Sequence, residues 1–236
     1  MNAIILNAGK GSRLSKYTNN THKCLLNVGG KKIIDYQLES LKYAGIKNIT
    51  IVVGYLKEQI KEYVSKYKDF EFNFVENPNY ANTNTAFSLR LAKGMLYYDT
   101  IYLNGDVVFP KELIKRLIDS EYENALAVDY KECGEEEVKV ELSGNRITRI
   151  GKDIPLNLSK GEFIGIAKFS KNMSDKFVQS LDNTIEKEML YKVFFEHSLQ
   201  QIINDVELMA VDVTQMQAVE IDFEEDLLKA IEIYKD

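Results

Sequence analysis

Met1-Asn-Ala-Ile-Ile-Leu-Asn-Ala-Gly-Lys-Gly-Ser-Arg-Leu14 opens the chain, and Thr21-His22-Lys23-Cys24-Leu25-Leu26 follows shortly after. The apolar run at 3–6 breaks into a glycine loop carrying Arg13, with Lys23 ten residues further on. An apolar run ending in glycines predicts a buried strand and a turn. Gly9 and Gly11 let the backbone approach a ligand closely, with amide N–H groups free to face phosphate oxygens. Arg13 adds a planar, permanently charged fork, and Lys23 a point charge. These are the parts of a nucleotide site. Two other glycine loops do not apply. The dinucleotide fingerprint needs a third glycine where Leu14 stands, and no Gly-Lys-Ser/Thr run of the large ATPase and GTPase class occurs.

Outward from this loop, strand-like and helix-like segments alternate through the first half. Strands are predicted at 3–6, 48–53, 70–75 and 100–103. A helix presents Ile34, Leu38 and Leu41 on one face and stops at Gly45. A second helix, over 56–67, turns Ile60 and Val64 inward, and a third covers 86–93. Pro110 opens a fourth, with Leu113, Ile114, Leu117 and Ile118 on its apolar side. This alternation predicts an α/β fold: a mostly parallel, Rossmann-like sheet with helices on both faces and right-handed crossovers. The second half changes texture. Short strands at 125–130, 137–142, 145–151 and 162–170, with a hairpin turn at Gly144-Asn145, read as a small antiparallel addition. A helix over 190–203, a strand at 208–213 and a final helix over 223–234 complete the reading. No linker rich in Pro, Gly or Ser and no repeat divides the chain, so residues 1–236 are expected to form one domain. Ligands of such sheets bind at the C-terminal ends of strands. The loop at 9–13, the stretch 76–88 and Gly105-Asp106 all follow strands and are expected to meet there.

Composition agrees. The 236 residues are 45% hydrophobic and 28% charged, enough for a full core. No apolar run approaches the ~20 residues of a membrane helix, and no export pattern opens the chain. Cys24 and Cys133 are expected to be reduced thiols of a cytoplasmic protein. A net charge of −6 argues against nucleic acid and gives no sign of a membrane partner. Lys10, Arg13, Lys16 and Lys23 nevertheless form a local basic cluster suited to phosphates.

Two aspartates stand where a metal would be held. Asp106 follows the apolar strand Ile101-Tyr102-Leu103, and it reads either as a Mg²⁺ ligand or as part of an Asn-Gly turn. Asp222 in Val219-Glu220-Ile221-Asp222 reads as a second ligand or as a helix N-cap, forming a capping box with Glu225. His22 and His197 make no convincing pair. No zinc-spaced Cys/His array and no nucleophile elbow are present.

The opening loop resembles the Leu-Ala-Ala-Gly-x-Gly-x-Arg-Leu…Pro-Lys signature of nucleotidyltransferases that activate small phosphorylated metabolites. Asn7 departs from alanine and His22 from proline. The first would crowd the base pocket, and the second removes a rigid turn before Lys23. The stretch 76–89 is similar to the Asn-Pro…Tyr…Thr-Asn…Ser-Leu segment of bacterial phosphocholine and aminoethylphosphonate cytidylyltransferases. The runs 147–153 and 161–170 resemble the same subfamily. The resemblance implies a nucleotide-diphospho-sugar-transferase-like fold, with a nucleotide-binding half at 1–123 and an acceptor-binding half at 124–236. It further implies CTP and a small phosphorylated or phosphonylated acceptor as partners, with Mg²⁺ as cofactor. The product it implies is a CDP-linked precursor of a cell-surface polymer.

By that resemblance Leu6, Ala8, Gly9, Gly11 and Gly105 line the nucleotide, and Asn82, Thr83, Asn84 and Ser88 read the pyrimidine edge. Asn or Thr in that stretch equally suits the cap of a helix starting near Ala86. Arg13 holds the β- and γ-phosphates, Lys23 the α-phosphate and Lys152 the incoming phosphate, with Asp106 and Asp222 on the metal. Glu162 and Tyr191 are placed at the acceptor head group, while Lys168 receives no role. Tyr130, Phe163, Tyr191, Phe194 and Phe195 are available for an aromatic cage, yet the absence of Trp weakens choline as the acceptor. Three rivals stay open: a sugar-1-phosphate uridylyl- or thymidylyltransferase, a glycosyltransferase, and a non-catalytic nucleotide-binding regulatory module. Asp106-Val107-Val108 lacks the Asp-x-Asp expected of the glycosyltransferase. Oligomeric state is not legible, and a homodimer stays open.

Overall fold

The computed structural model describes residues 1–235. Its strands are β1 (Asn2–Asn7), β2 (Asn27–Val28), β3 (Lys31–Lys32), β4 (Asn48–Val53), β5 (Glu71–Glu76), β6 (Thr100–Asn104) and β7 (Val107–Val108) in the first half. The second half contributes β8 (Ala125–Asp129), β9 (Lys139–Ser143), β10 (Arg146–Gly151), β11 (Gly161–Phe169), β12 (Met209–Asp212) and β13 (Val219–Glu220). Nine of them form one sheet in the order β5-β4-β1-β6-β11-β8-β12-β10-β9. The first-half strands β5, β4, β1 and β6 pair in parallel throughout, with Ile4 between Thr50 and Tyr102. Beyond β6 the sheet becomes mixed. β11 runs antiparallel to β6 and β8, β12 returns parallel to β8, and β9 and β10 form the expected antiparallel hairpin.

Between its two terminal asparagines β1 is apolar because helices cover both of its faces. Ala3 and Ile5 pack with Ile34, Leu38, Ile60 and Leu113 from the helices Ile33–Tyr43, Lys57–Val64 and Glu112–Asp119. Ile4 packs the other way, with Leu89, Phe177 and Leu199 from Thr85–Leu91, Ser174–Asp182 and Glu196–Gln201. The last helix, Glu224–Ile233, buries Leu227 and Ala230 against Leu14, Leu26 and Tyr36, which ties the C-terminus to the opening loop.

Three details differ from the sequence reading. The helix expected over 190–203 is only Glu196–Gln201. The residues before it run alongside the 84–86 segment instead, where the carbonyls of Tyr191 and Val193 accept from the N–H groups of Asn84 and Ala86. The helix Ser174–Asp182 was not anticipated. Asp226, rather than the Asp222–Glu225 box, caps the last helix, accepting from the backbone N–H of Asp222 at 3.0 Å and of Phe223 at 2.7 Å. Cys24 and Cys133 are free thiols. Among the described residues no helix is long and apolar enough to cross a membrane.

Candidate active site

The C-terminal ends of β1, β5 and β6 open onto a cleft of about 300 Å³, lined by Gly9, Gly11, Arg13, Lys23, Asp106 and Asp222 among others. Gly11 shapes its floor. At φ +63° it adopts the left-handed conformation, and a Cβ there would press to 3.2 Å from the Lys23 side chain. Its carbonyl accepts from Thr18 Oγ1 at 3.0 Å, so the loop closes over the lysine stem.

Lys23 begins a short 3₁₀ turn, Lys23–Leu25. His22, at φ −62°, has the backbone angle of a proline, so the rigid turn survives the substitution. Its Nδ1 accepts from the Cys24 N–H at 3.2 Å, and its own N–H donates to Gln59 Oε1 at 3.0 Å. Burial pushes the His22 imidazole down to about 4, against the opposing pull of the Gly9 and Asn7 carbonyls.

The two aspartates meet because β7 pairs with β13, Val108 opposite Val219, and the Ile221 N–H donates to the Asp106 carbonyl at 3.0 Å. Lys23 Nζ then donates to Asp106 Oδ2 at 2.7 Å and to Asp222 Oδ1 at 2.8 Å. Burial alone would lower the Lys23 pKa, but the two carboxylates outweigh it and hold the ammonium charged well above its usual range. Arg13 donates to the other Asp222 oxygen at 2.9 Å and lies 5.1 Å from the centre of the Phe223 ring. Burial of Asp222 is likewise outweighed, by Lys23 first and then Arg13, so its carboxyl stays below the usual range. Glu220, beside them, goes the other way: burial and then the charges of Asp106 and Asp222 push it well up.

This donor set fits a divalent ion. Two carboxylates from distant strands already converge on one cationic group, the Lys23 ammonium. Among the described residues no group of three or more His, Cys, Asp or Glu side chains is placed to hold a metal ion. Two hard oxygen ligands suit Mg²⁺, which keeps waters and shares phosphate oxygens instead of filling a protein cage.

Gly105 is fixed by close approach. Its N–H donates to the Leu6 carbonyl at 3.1 Å, and a Cβ would fall 1.8 Å from Asn7 Oδ1. Asn7 is therefore held against Gly105 at the cleft wall, where its Nδ2 has no hydrogen-bond partner among the described residues. Opposite it, buried Asn77 donates to Thr83 Oγ1 and Ser88 Oγ, both at 3.0 Å, and organises a polar wall. Asn84 caps the helix Thr85–Leu91 through its Oδ1, 2.9 Å from the Thr85 N, and still lines the cleft.

Thus Leu6, Ala8, Gly9, Gly11, Arg13, Lys23, Thr83, Asn84, Ser88, Gly105, Asp106, Lys152 and Asp222 share one cleft. Asn82, Glu162 and Tyr191 do not line it. Asn82 is exposed beyond the polar wall. Glu162 is spent on Lys131 at 2.7 Å, with burial raising its carboxyl. Tyr191 packs its ring edge-on against Phe87, 6.2 Å between centroids. The aromatic cage does not form either: Phe163 and Phe195 are buried in the core, and of the five candidates Phe194 alone faces the cleft. Lys168 donates to the carbonyls of Ile118 and Ser120, a structural role away from the cleft.

Sequence reasoning missed Asn77, Glu136, Glu196 and Glu220, all of which line the cleft. Only Glu220 carried a signal, since strand periodicity places it on the same side as Asp222. Glu136 sits in an exposed acidic run, and Glu196 falls within the helix expected over 190–203 with nothing to set it apart.

The nucleotidyl transferase family model matches residues 2–137. A CTP:phosphoglutamine cytidylyltransferase of Campylobacter jejuni is 32% identical over 98% of this chain and 100% of its own length. A choline-phosphate cytidylyltransferase of Streptococcus pneumoniae is 30% identical over all of this chain and 99% of its own. The solved structure of the CTP:phosphocholine cytidylyltransferase from Streptococcus pneumoniae superposes with a TM-score of 0.83 at 28% identity, covering 99% of both chains.

Proposed function

The chain belongs to the nucleotidyl transferase family, and within it we propose that it transfers CMP from CTP to a small phosphorylated or phosphonylated metabolite, releasing pyrophosphate. One observation supports this above the others: the opening glycine loop, Lys23, Asp106 and Asp222 converge in a single cleft that also holds Lys152 from the second half of the chain.

In this reading an oxygen of the acceptor phosphate attacks the α-phosphorus in line. The bond from the α-phosphorus to the bridging oxygen breaks, and pyrophosphate leaves with that oxygen. No covalent intermediate is needed, and the chemistry demands positioning and charge compensation between two anions. The amides of the glycine loop and Arg13 hold the triphosphate. Lys23 transfers its ammonium from the two aspartates to the α-phosphate, and Lys152 holds the incoming phosphate. Asp106 and Asp222 are the residues that would hold Mg²⁺, which would supply neutralisation of the triphosphate. The polar wall of Asn77, Thr83 and Ser88 lies within reach of a pyrimidine edge. Residues 1–123 serve the nucleotide, and residues 124–236 serve the acceptor while adding Asp222 to the nucleotide side.

The test is pyrophosphate release from each of four nucleoside triphosphates against a panel of phosphorylated amines, amides, polyols and hexose 1-phosphates. CTP is expected to exceed UTP and dTTP at least tenfold. A preference for UTP or dTTP with hexose 1-phosphates would move the chain to the sugar-activating branch, and CTP binding without any release would make it a regulatory module.

A further inference from the structure

The acceptor end of the cleft contains a buried carboxyl with one oxygen unpaired. Lys152, Phe194, Val138 and Glu196 line this end. Lys152 Nζ lies 5.0 Å from the centre of the Phe194 ring, so that aromatic face is already occupied by a cation. Glu196 is only 4% exposed, and its Oε2 has no hydrogen-bond partner among the described residues. No ion pair to Glu196 is present among the described residues either, although every neighbouring carboxylate of the cleft has a basic or amide partner.

The side chain is not free to escape into solvent. Phe195, immediately before it, is fully buried, 4.4 Å from the Tyr102 ring and 6.0 Å from the Phe163 ring. The Phe195 N–H donates to Thr85 Oγ1 at 2.9 Å, which ties the segment to the nucleotide side of the cleft. Glu196 is thereby anchored at the cleft wall with one buried, unpaired acceptor oxygen. A buried polar group without a partner is costly, and such a group in a binding cleft points to a partner supplied by the ligand.

We propose that the acceptor carries an N–H-bearing head group, a primary ammonium or a primary carboxamide, and that Glu196 is the residue that reads it. This rests on the cytidylyl-transfer reading and adds the chemical class of the acceptor. A quaternary ammonium has no N–H to pair with Oε2 and is held most favourably over aromatic faces. The chain has no Trp, Tyr191 turns away to Phe87, and Phe194 is engaged by Lys152. Burial also pushes the Glu196 carboxyl up to about 7, so near neutral pH it serves as an acceptor for an ammonium or as a paired donor and acceptor for an amide.

The experiment compares four acceptors with CTP and the intact chain: phosphoethanolamine, 2-phosphoglycolamide, phosphocholine and ethyl phosphate, with calorimetry of CTP binding alongside. One of the two N–H-bearing acceptors is expected to exceed phosphocholine and ethyl phosphate at least tenfold in kcat/KM. Glu196→Ala should erase that preference mainly through KM, leaving the CTP Kd within twofold. Glu196→Gln, which keeps an acceptor oxygen, should restore part of it. Equal or better use of phosphocholine, or an unchanged preference in Glu196→Ala, overturns the proposal while leaving cytidylyl transfer standing. CTP binding with no pyrophosphate release from any acceptor overturns the transfer reading, and this assignment with it.

Discussion

The Lys23 ammonium lies 2.8 Å from the Asp222 carboxylate although 199 residues separate them, and the same ammonium reaches Asp106 at 2.7 Å. The site thus neutralises itself: a lysine stands between the two acids proposed to hold a divalent ion. In the proposed reaction substrate binding would exchange these partners, leaving the acids to hold a metal and the lysine a phosphate.

Lys23→Ala tests that exchange twice. Loss of one preorganised cation on a phosphoryl group costs ~10²–10³ in rate. The variant should therefore lose kcat to that extent while keeping its circular dichroism spectrum. It also leaves two acids facing each other without their shared cation. Its thermal midpoint should rise on adding Mg²⁺ by several degrees more than that of the wild type. Near-normal kcat would remove Lys23 from the reaction, and equal Mg²⁺ responses would remove it from the metal place.

Gly105→Ala puts a methyl 1.8 Å from Asn7 Oδ1 and 2.5 Å from the Leu6 carbonyl oxygen. Overpacking of this kind costs about 1–3 kcal/mol. The Asn7 contact is a side chain and can be relieved, but the Leu6 contact is backbone and cannot. Asn7→Ala in the Gly105→Ala background should therefore recover part of the stability in denaturant titration. Full recovery would show that the Leu6 carbonyl yields freely.

How far the sequence reaches is clear from particular residues. The parallel half was legible because buried parallel strands are continuous apolar runs and their helices keep a 3.6-residue stripe, as Ile34, Leu38 and Leu41 do. Asp106 and Asp222 were legible as candidates, but their meeting depends on the β7–β13 pairing of two residues each, too short for any pattern. Asp222 and Asp226 both precede an apolar helix, and only geometry assigns the cap to Asp226. The 190–195 segment has helical spacing of aromatics, yet long-range hydrogen bonds to the 84–86 segment override it. Glu196 was hidden because its burial comes from tertiary packing, which helical spacing does not reveal.

His22 and Glu196 predict opposite pH slopes of stability. Burial moves His22 from 6.5 to about 4, so between those values the unfolded chain binds more protons. That contribution is present above 6.5 and is lost as pH falls toward 4. Glu196 moves from 4.5 to about 7, so the folded chain binds more protons, and stability is lost as pH rises through that range. Each term is on the order of 3 kcal/mol, and between pH 4.5 and 6.5 they largely cancel. Calorimetric midpoints should rise more steeply with pH in Glu196→Gln than in the wild type, and fall with pH in His22→Ala. His22→Ala should also lose about 1 kcal/mol at all pH values with its turn cap. Three parallel profiles would contradict both assignments.

Glu136 is the counterpart of Lys23 on the anionic side. Its carboxylate lies 3.3 Å from Arg13 and 3.6 Å from Lys152, one cation from each half of the chain, in the place where phosphates are expected. With 66% of its side chain exposed, the pairs it makes contribute only ~0–1 kcal/mol to stability. Its effect is instead on binding, since any phosphate must displace it from both cations. Glu136→Gln keeps the shape and removes the charge. The variant should bind pyrophosphate two- to fivefold more tightly at low salt, with a thermal midpoint within a degree of the wild type. Screening shortens the reach of exposed charges to ~3 Å at 1 M salt, so the gain should vanish there. Weaker pyrophosphate binding by the variant would instead make Glu136 a residue that holds Arg13 and Lys152 in position for their ligand.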